Sequence, residues 1–168
     1  METNTFPKMG MSDSPTGCCP RFHPKLWDGR DLHFRNQPFV RATTRSLAHV
    51  PLNMGKVMTR VQGHIDAAKA AIPDRALMLS RDLSAWKGEH LIAVSKDVPD
   101  EEMMTLTGDY ITRVFEGPYR EARHWYQEMQ DEVRKQGKEP TRIYFFYTTC
   151  PACAKAYGKN YVVGVAEM

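Results

Sequence analysis

Residues 105–136 read TLTGDYITRVFEGPYREARHWYQEMQDEVRKQ, and this stretch decides the fold. Thr105 to Phe115 is rich in β-branched and aromatic residues and predicts a strand. Gly-Pro-Tyr at 117–119 breaks the chain. From Arg120 to Gln136 the residues Ala122, Trp125, Tyr126, Met129 and Val133 recur at helical spacing. They predict an amphipathic helix, which Gly137 stops. Strands are expected next at Arg142–Thr148 and Tyr161–Val165.

The same order occurs earlier in the chain. Phe39–Leu47 (FVRATTRSL) predicts a strand, and Asn53 is placed to cap a helix. Met54, Val57, Met58, Val61, Ile65 and Ala68 mark one face of that helix, and Pro73 closes it. Strands are expected at Arg75–Leu79 and Glu89–Val94. Val57 and Trp125 are 68 residues apart, and so are Met58 and Tyr126, Val61 and Met129, Ile65 and Val133, and Leu47 and Phe115. The chain therefore reads as a duplicated β-α-β-β unit. One such unit leaves a sheet face open, so two are expected to pair into an α+β fold. Its form would be an antiparallel sheet with two helices and a pseudo-twofold ligand groove between the halves. The expected organisation is a flexible tail (1–16) and a single domain (17–168). That domain has an N-terminal wrap (17–38) anchored by Phe22, Trp27 and Phe34, a first repeat (39–99) and a second repeat (104–168).

At 168 residues, 42% hydrophobic and 26% charged, the chain can bury a core as one domain. A net charge of +3 without a basic stripe argues against a nucleic-acid partner. No stretch approaches the ~20 apolar residues of a membrane span, and the N-terminus lacks a signal-like apolar run. A cytoplasmic protein, monomer or homodimer, with no membrane partner is expected.

Chemistry concentrates first in four cysteines, Cys18 and Cys19 in one Pro-flanked loop and Cys150 and Cys153 in a Cys-Pro-Ala-Cys corner. A C-x-x-C turn lets two thiolates reach one tetrahedral zinc, with a second loop supplying two more ligands. A structural zinc is the expectation, His23 being a substitute ligand. A redox or disulfide pair and unligated packing thiols are the alternatives. Only 15 residues follow Cys153, too few for the remainder of a thioredoxin-like fold.

A second candidate is the groove between repeats, near which aromatic residues concentrate, including Trp86, Tyr110, Trp125 and Phe146. Trp125 and Phe146 also fit simple burial. Glu116, at the strand-to-helix corner, and Glu89, just after Trp86, are carboxylates beside aromatics. Desolvation there would raise their pKa towards that of a general base, with Tyr119 or Tyr147 as proton donor. Alternatively, Glu116 is a helix N-terminal charge stabilised by the macrodipole. His49, His64, His90 and His124 show no metal spacing.

The duplicated unit, with Phe115-Glu116-Gly117-Pro118-Tyr119 at its second corner, resembles the GyrI-like small-molecule-binding domains. The resemblance covers about residues 39–168 and rests on an aromatic-x-Gly-Pro-Tyr motif. The flanks CCPRFHPKLWDG (18–29) and YTTCPACAKAYGKNYVV (147–163) resemble a bacterial subgroup often labelled hydrolase. The resemblance implies a groove for flat, apolar or cationic compounds, and in some members hydrolysis of reactive electrophiles by an acid set among aromatics. Carried onto this chain, Glu116 would be the catalytic acid and Tyr119 and Tyr147 its polar partners. Trp86, Glu89, Tyr110, Trp125 and Phe146 would bind ligand. Many members carry a glutamate in mid final strand. Here that strand is YVVGVAEM, with Glu167 only at its end, and Glu89 holds roughly the corresponding place in the first repeat. The function implied is a hydrolase of the detoxification type acting on a hydrophobic or aromatic electrophile. The alternatives are a non-catalytic ligand-binding module and a CxxC redox protein.

Overall fold

The computed structural model describes residues 2–168, with Pro151 described by its backbone alone. The first repeat comprises β1 (Asp31–Leu47), a short β2 (Val50–Pro51), α1 (Met54–Ala68), β3 (Met78–Ser84) and β4 (Lys87–Ala93). The second comprises β5 (Glu102–Glu116), α2 (Ala122–Lys135), β6 (Ile143–Tyr147), α3 (Pro151–Tyr157) and β7 (Tyr161–Glu167). In each, the long first strand pairs with the last strand, which pairs with the one before it: β1–β4–β3 and β5–β7–β6. The halves then join twice, through β3–β6 and through β1–β5. All these pairings are antiparallel. The duplicated unit is present, and its sheet goes further than two paired halves by closing into a six-stranded barrel with β2 hung on β1.

Helices α1 and α2 lie on the outside of the barrel. Val57, Val61 and Ile65 of α1 pack on Val40, Ala42 and Val94. Trp125, Met129 and Val133 of α2 pack on Phe115, Ile143, Phe145, Val162 and Ala166. Gly164 makes the second contact possible, because a Cβ there would lie 2.6 Å from the Met129 Sδ. Strand β7 is therefore buried on both faces, which explains its unbroken apolar run. Asn53 caps no helix through its side chain; its carboxamide oxygen accepts the Arg45 N–H at 2.8 Å instead.

Inside the barrel a second, larger core gathers Leu32, Phe39, Leu79, Leu91, Tyr144 and Val165 with residues from the first thirty of the chain. Trp27 and Phe6 are each only 1% exposed. The Trp27 ring lies 5.3 Å from that of Phe146, and the Phe22 ring 5.5 Å from that of Tyr161. The wrap is thus a plug, and it begins earlier than expected. The sequence predicts a flexible tail over 1–16. Instead Phe6 and Met9 are buried, Asn4 N–H bonds the His33 carbonyl, and Met9 N–H bonds the Asp74 carbonyl, each at 2.8 Å. Two apolar residues among polar neighbours carry no periodicity, so the sequence gives no sign of this packing. These side chains fill the barrel interior between the two halves.

Alternation along the strands puts Glu89 and Glu167 on the interior face at the other mouth of the barrel. Glu89 accepts hydrogen bonds from Arg41 and Arg81 at 2.7 and 2.8 Å, and Glu167 is forked by Arg142 at 2.7 and 3.2 Å. Burial acts to raise the Glu89 carboxyl pKa, but the two guanidinium groups outweigh it and hold the group below the ordinary carboxylate range. Arg142 does the same for Glu167. A depressed carboxylate adds stability above its unfolded pKa and loses it as pH falls through its folded value. The urea midpoint is therefore expected to stay level from about pH 7 to 5 and to drop below about pH 4. A midpoint unchanged down to about pH 3 would mean these pairs add nothing.

Candidate functional site

The two cysteine loops meet at the end of the barrel where β6 finishes and β7 begins. Strand β6 runs out through Thr148 and Thr149 into α3, whose first turn sets Cys150 and Cys153 on one side. In the other loop the Thr16 hydroxyl accepts the Cys18 and Cys19 N–H groups at 3.3 and 3.5 Å, which bends the chain enough for adjacent cysteines to face one way. All four Sγ atoms lie within 4.8 Å of one another. Cys18 is 3.9 Å from Cys150 and 3.8 Å from Cys19, and the Cys150 N–H donates to the Cys19 sulfur at 3.5 Å. Four thiols so placed could hold a metal ion. The Thr16 hydroxyl, 3.3 Å from the Cys153 sulfur, draws that thiol's pKa down to about 7, while burial pushes Cys19 up to about 12. His23 is engaged by Asp13 at 2.8 Å and stands apart from the sulfurs.

Two open clefts flank this junction. The larger, about 590 Å³, is bounded by Thr16, Arg21, Phe22, Thr149, Tyr157 and Lys159, among others. The smaller, about 490 Å³, is bounded by Pro24, Lys25, Asp28, Val114, Glu116 and Tyr161. Tyr161 walls both clefts. The Lys159 ammonium of the first lies 3.7 Å from the Glu116 carboxylate of the second. Glu116 is held there by its register opposite Tyr161 and by the corner that follows it. Gly117 takes φ +145°, which side-chain-bearing residues rarely adopt, and its N–H bonds the Asn160 carbonyl at 3.1 Å. The Asn160 amide returns a bond to the Gly117 carbonyl at 2.7 Å.

A family model described as bacterial hydrolase matches residues 9–168, which takes in all four cysteines and both clefts. The chain belongs to this bacterial hydrolase family. Among solved structures, SAV2435 bound to tetraphenylphosphonium is similar at 12% identity and a TM-score of 0.47, over 83% of this chain and 92% of that one. No curated protein matches the sequence. Among the described residues, no helix is long and apolar enough to cross a membrane.

The structure places the sequence-predicted site residues in several different environments. Glu116 lines a cleft as an exposed carboxylate. Tyr119 and Tyr147 meet edge to face at 5.6 Å, but Tyr147 packs in the outer core beneath α2. Glu116 shares the opposite face with Val114 and Tyr161, so the expected Glu116–Tyr119–Tyr147 group is not assembled. Burial raises both tyrosine pKa values, that of Tyr147 to about 12, so each remains a hydrogen-bond donor at neutral pH. Tyr119 uses its hydroxyl on the Thr149 carbonyl at 3.4 Å.

The expected aromatic wall is also dispersed. Trp125 stacks on Phe115 in the outer core, whereas Phe146 lies in the inner one. Trp86 is 61% exposed on the β3–β4 turn. Tyr110 is fully buried inside the barrel, its hydroxyl without a partner, and Glu89 is locked between Arg41 and Arg81. Strand alternation sends sequence neighbours to opposite faces, and closure of the barrel decides which face is wet. The cleft residues that sequence reasoning missed are Thr16, Arg21, Thr149, Tyr157, Lys159 and Tyr161. Their signal was position, because all lie within a few residues of the cysteines that bring the two loops together.

Proposed function

We propose that this protein is a hydrolase that binds a small hydrophobic or aromatic electrophile in the paired cleft and cleaves it with Glu116 as general base. The observation that carries the reading is the Glu116–Lys159 pair at 3.7 Å, which bridges the two clefts beside Tyr161. Glu116 takes a proton from a water molecule, and the hydroxide equivalent bonds to the electrophilic carbon. The bond to the leaving group breaks, and that group departs with the proton. Lys159 faces the negative charge that develops on the substrate. The GyrI-like resemblance supports small-molecule binding, and the family match supports hydrolysis. The tyrosine pair is assigned to the wall between the cysteine loop and α2 and takes no proton in this scheme.

In the same reading the four cysteines hold a structural zinc. A Zn–S distance of about 2.3 Å in a tetrahedron puts sulfurs ~3.8 Å apart, and the separations of 3.8 and 3.9 Å fit that edge. Four thiolates leave no open position, so the ion would supply cross-linking and no Lewis-acid chemistry. Convergence of four sulfurs, rather than two, favours this over a redox pair. The protein is assigned to the cytoplasm, where thiols stay reduced and available for metal.

Glu116→Gln is expected to lower turnover of an activated aryl ester by about 100-fold or more while leaving the fold intact, since the side chain is exposed. Mass spectrometry of the reaction mixture checks it. Undiminished turnover would remove Glu116 from the mechanism. Exposure of Glu116 to solvent also favours a second reading, a ligand-binding module without chemistry. Saturable quenching of tryptophan fluorescence with no product would select it.

A further inference from the structure

We infer that the larger cleft takes an organic anion with an aromatic body, recognised by Arg21 and Lys159. The inference names the substrate class of the proposed hydrolytic site and rests on that reading of the cleft. Among the described residues lining this cleft, Arg21 and Lys159 are charged and no carboxylate is present. Lys159 is partly offset by Glu116 across the wall. Arg21 forms no ion pair among the described residues, and its guanidinium carbon lies 6.0 Å from the centroid of the Tyr157 ring. A guanidinium held beside an aromatic face presents its fork of donors to a carboxylate or phosphate.

A second observation concerns Thr149. Thr149 is only 8% exposed and lines the cleft, and its Oγ1 is buried with no hydrogen-bond partner among the described residues. Buried hydroxyls are normally satisfied, so this one is a donor left without an acceptor beside the cleft. The rings of Phe22 and Tyr161, 5.5 Å apart, and the Tyr157 ring give the cleft flat apolar walls. A volume of about 590 Å³ suits a small organic molecule. A lipophilic cation would meet two positive charges there, Lys159 partly offset by Glu116 and Arg21 not offset among the described residues. A hydrolytic substrate of the inferred class is an aryl ester or related electrophile that carries a free acid group.

The test uses the full chain with its metal and three probes: 2-naphthoate, 2-naphthyl phosphate and tetraphenylphosphonium. Saturable 2-naphthoate binding by calorimetry is expected, with Arg21→Ala weakening it by about 10- to 100-fold and Arg21→Lys retaining part. The phosphate arm tells whether the site prefers the carboxylate or the dianion. Circular dichroism checks that Arg21→Ala, an exposed position, remains folded. Glu116→Gln should bind 2-naphthoate at least as tightly as the parent, because it frees Lys159. Surviving turnover in that variant would count against the hydrolytic reading, whereas the anion reading is decided by binding alone. The inference is overturned if 2-naphthoate and 2-naphthyl phosphate both fail to saturate, if Arg21→Ala binds them as well as the parent, or if tetraphenylphosphonium displaces them.

Discussion

With the proposed zinc in the four-cysteine site, stripping it or replacing Cys150 by Ser is expected to lower the melting temperature by roughly 10–20 °C. Cys18 and Cys150 are 132 residues apart in sequence and 3.9 Å apart at their sulfurs. By the loop-entropy argument, a cross-link closing a loop of that length restricts the unfolded chain by about 5 kcal/mol. For a protein of this size each kcal/mol corresponds to about 2–4 °C. The loss should be visible in calorimetry before and after chelation, with elemental analysis giving about one zinc per chain in the untreated sample. The bonds that surround the sulfurs depend on the same convergence: Tyr157 to the Cys19 carbonyl at 2.6 Å and Thr16 to Tyr157 at 3.0 Å. A folded protein with four free thiols, no metal and an unchanged melting temperature would refute the assignment.

Trp27→Ala is expected to cost about 3–5 kcal/mol, the range for emptying a large aromatic from a core. Trp27 is 1% exposed, lies against Phe146 at 5.3 Å and Phe22 at 6.3 Å, and its carbonyl accepts a hydrogen bond from the Thr112 hydroxyl. Removing it would leave a void where the plug meets β6, and neighbours on three elements would have to move to fill it. Trp86→Ala is the matched control, since a side chain 61% exposed should change stability by less than about 0.5 kcal/mol. Urea unfolding of both variants separates the cases. A cost below about 1 kcal/mol for Trp27→Ala would show that the plug contributes little to the core.

The duplicated unit was legible because it rests on local patterns. The spacing of Val57, Val61 and Ile65 predicts the face of α1 that is buried, and that of Trp125, Met129 and Val133 predicts the face of α2. The start of α1 at Met54 was also legible, whereas α2 begins after a 3₁₀ turn at Tyr119–Glu121 that shifts it by two residues. Features that depend on distant parts of the chain were not. Strand β1 begins at Asp31, inside the expected wrap, because Asp31 to Phe34 find partners in β5, whose pairing no local pattern announces. The corner at Cys150 was expected as a turn and forms α3, with Pro151 at the first helical position. Convergence of the cysteines was legible from their type and number. The site residues were not, because Phe146 and Tyr147 are adjacent in sequence yet sit in different cores.

The plug also sets the order in which the molecule can be finished. Tyr157 bonds the Cys19 carbonyl across 138 residues of sequence, and Phe22 rests on Tyr161. Contacts of such sequence separation slow folding, towards milliseconds to seconds for closed β topologies. During synthesis, residues 6–27 emerge long before β6 and β7 and must wait in water without a surface to cover. Their mixture of Pro, Lys, Asp and Ser with a few isolated aromatics suits that wait. The polarity that makes the segment look like a tail keeps it soluble until the last hairpin arrives to receive it.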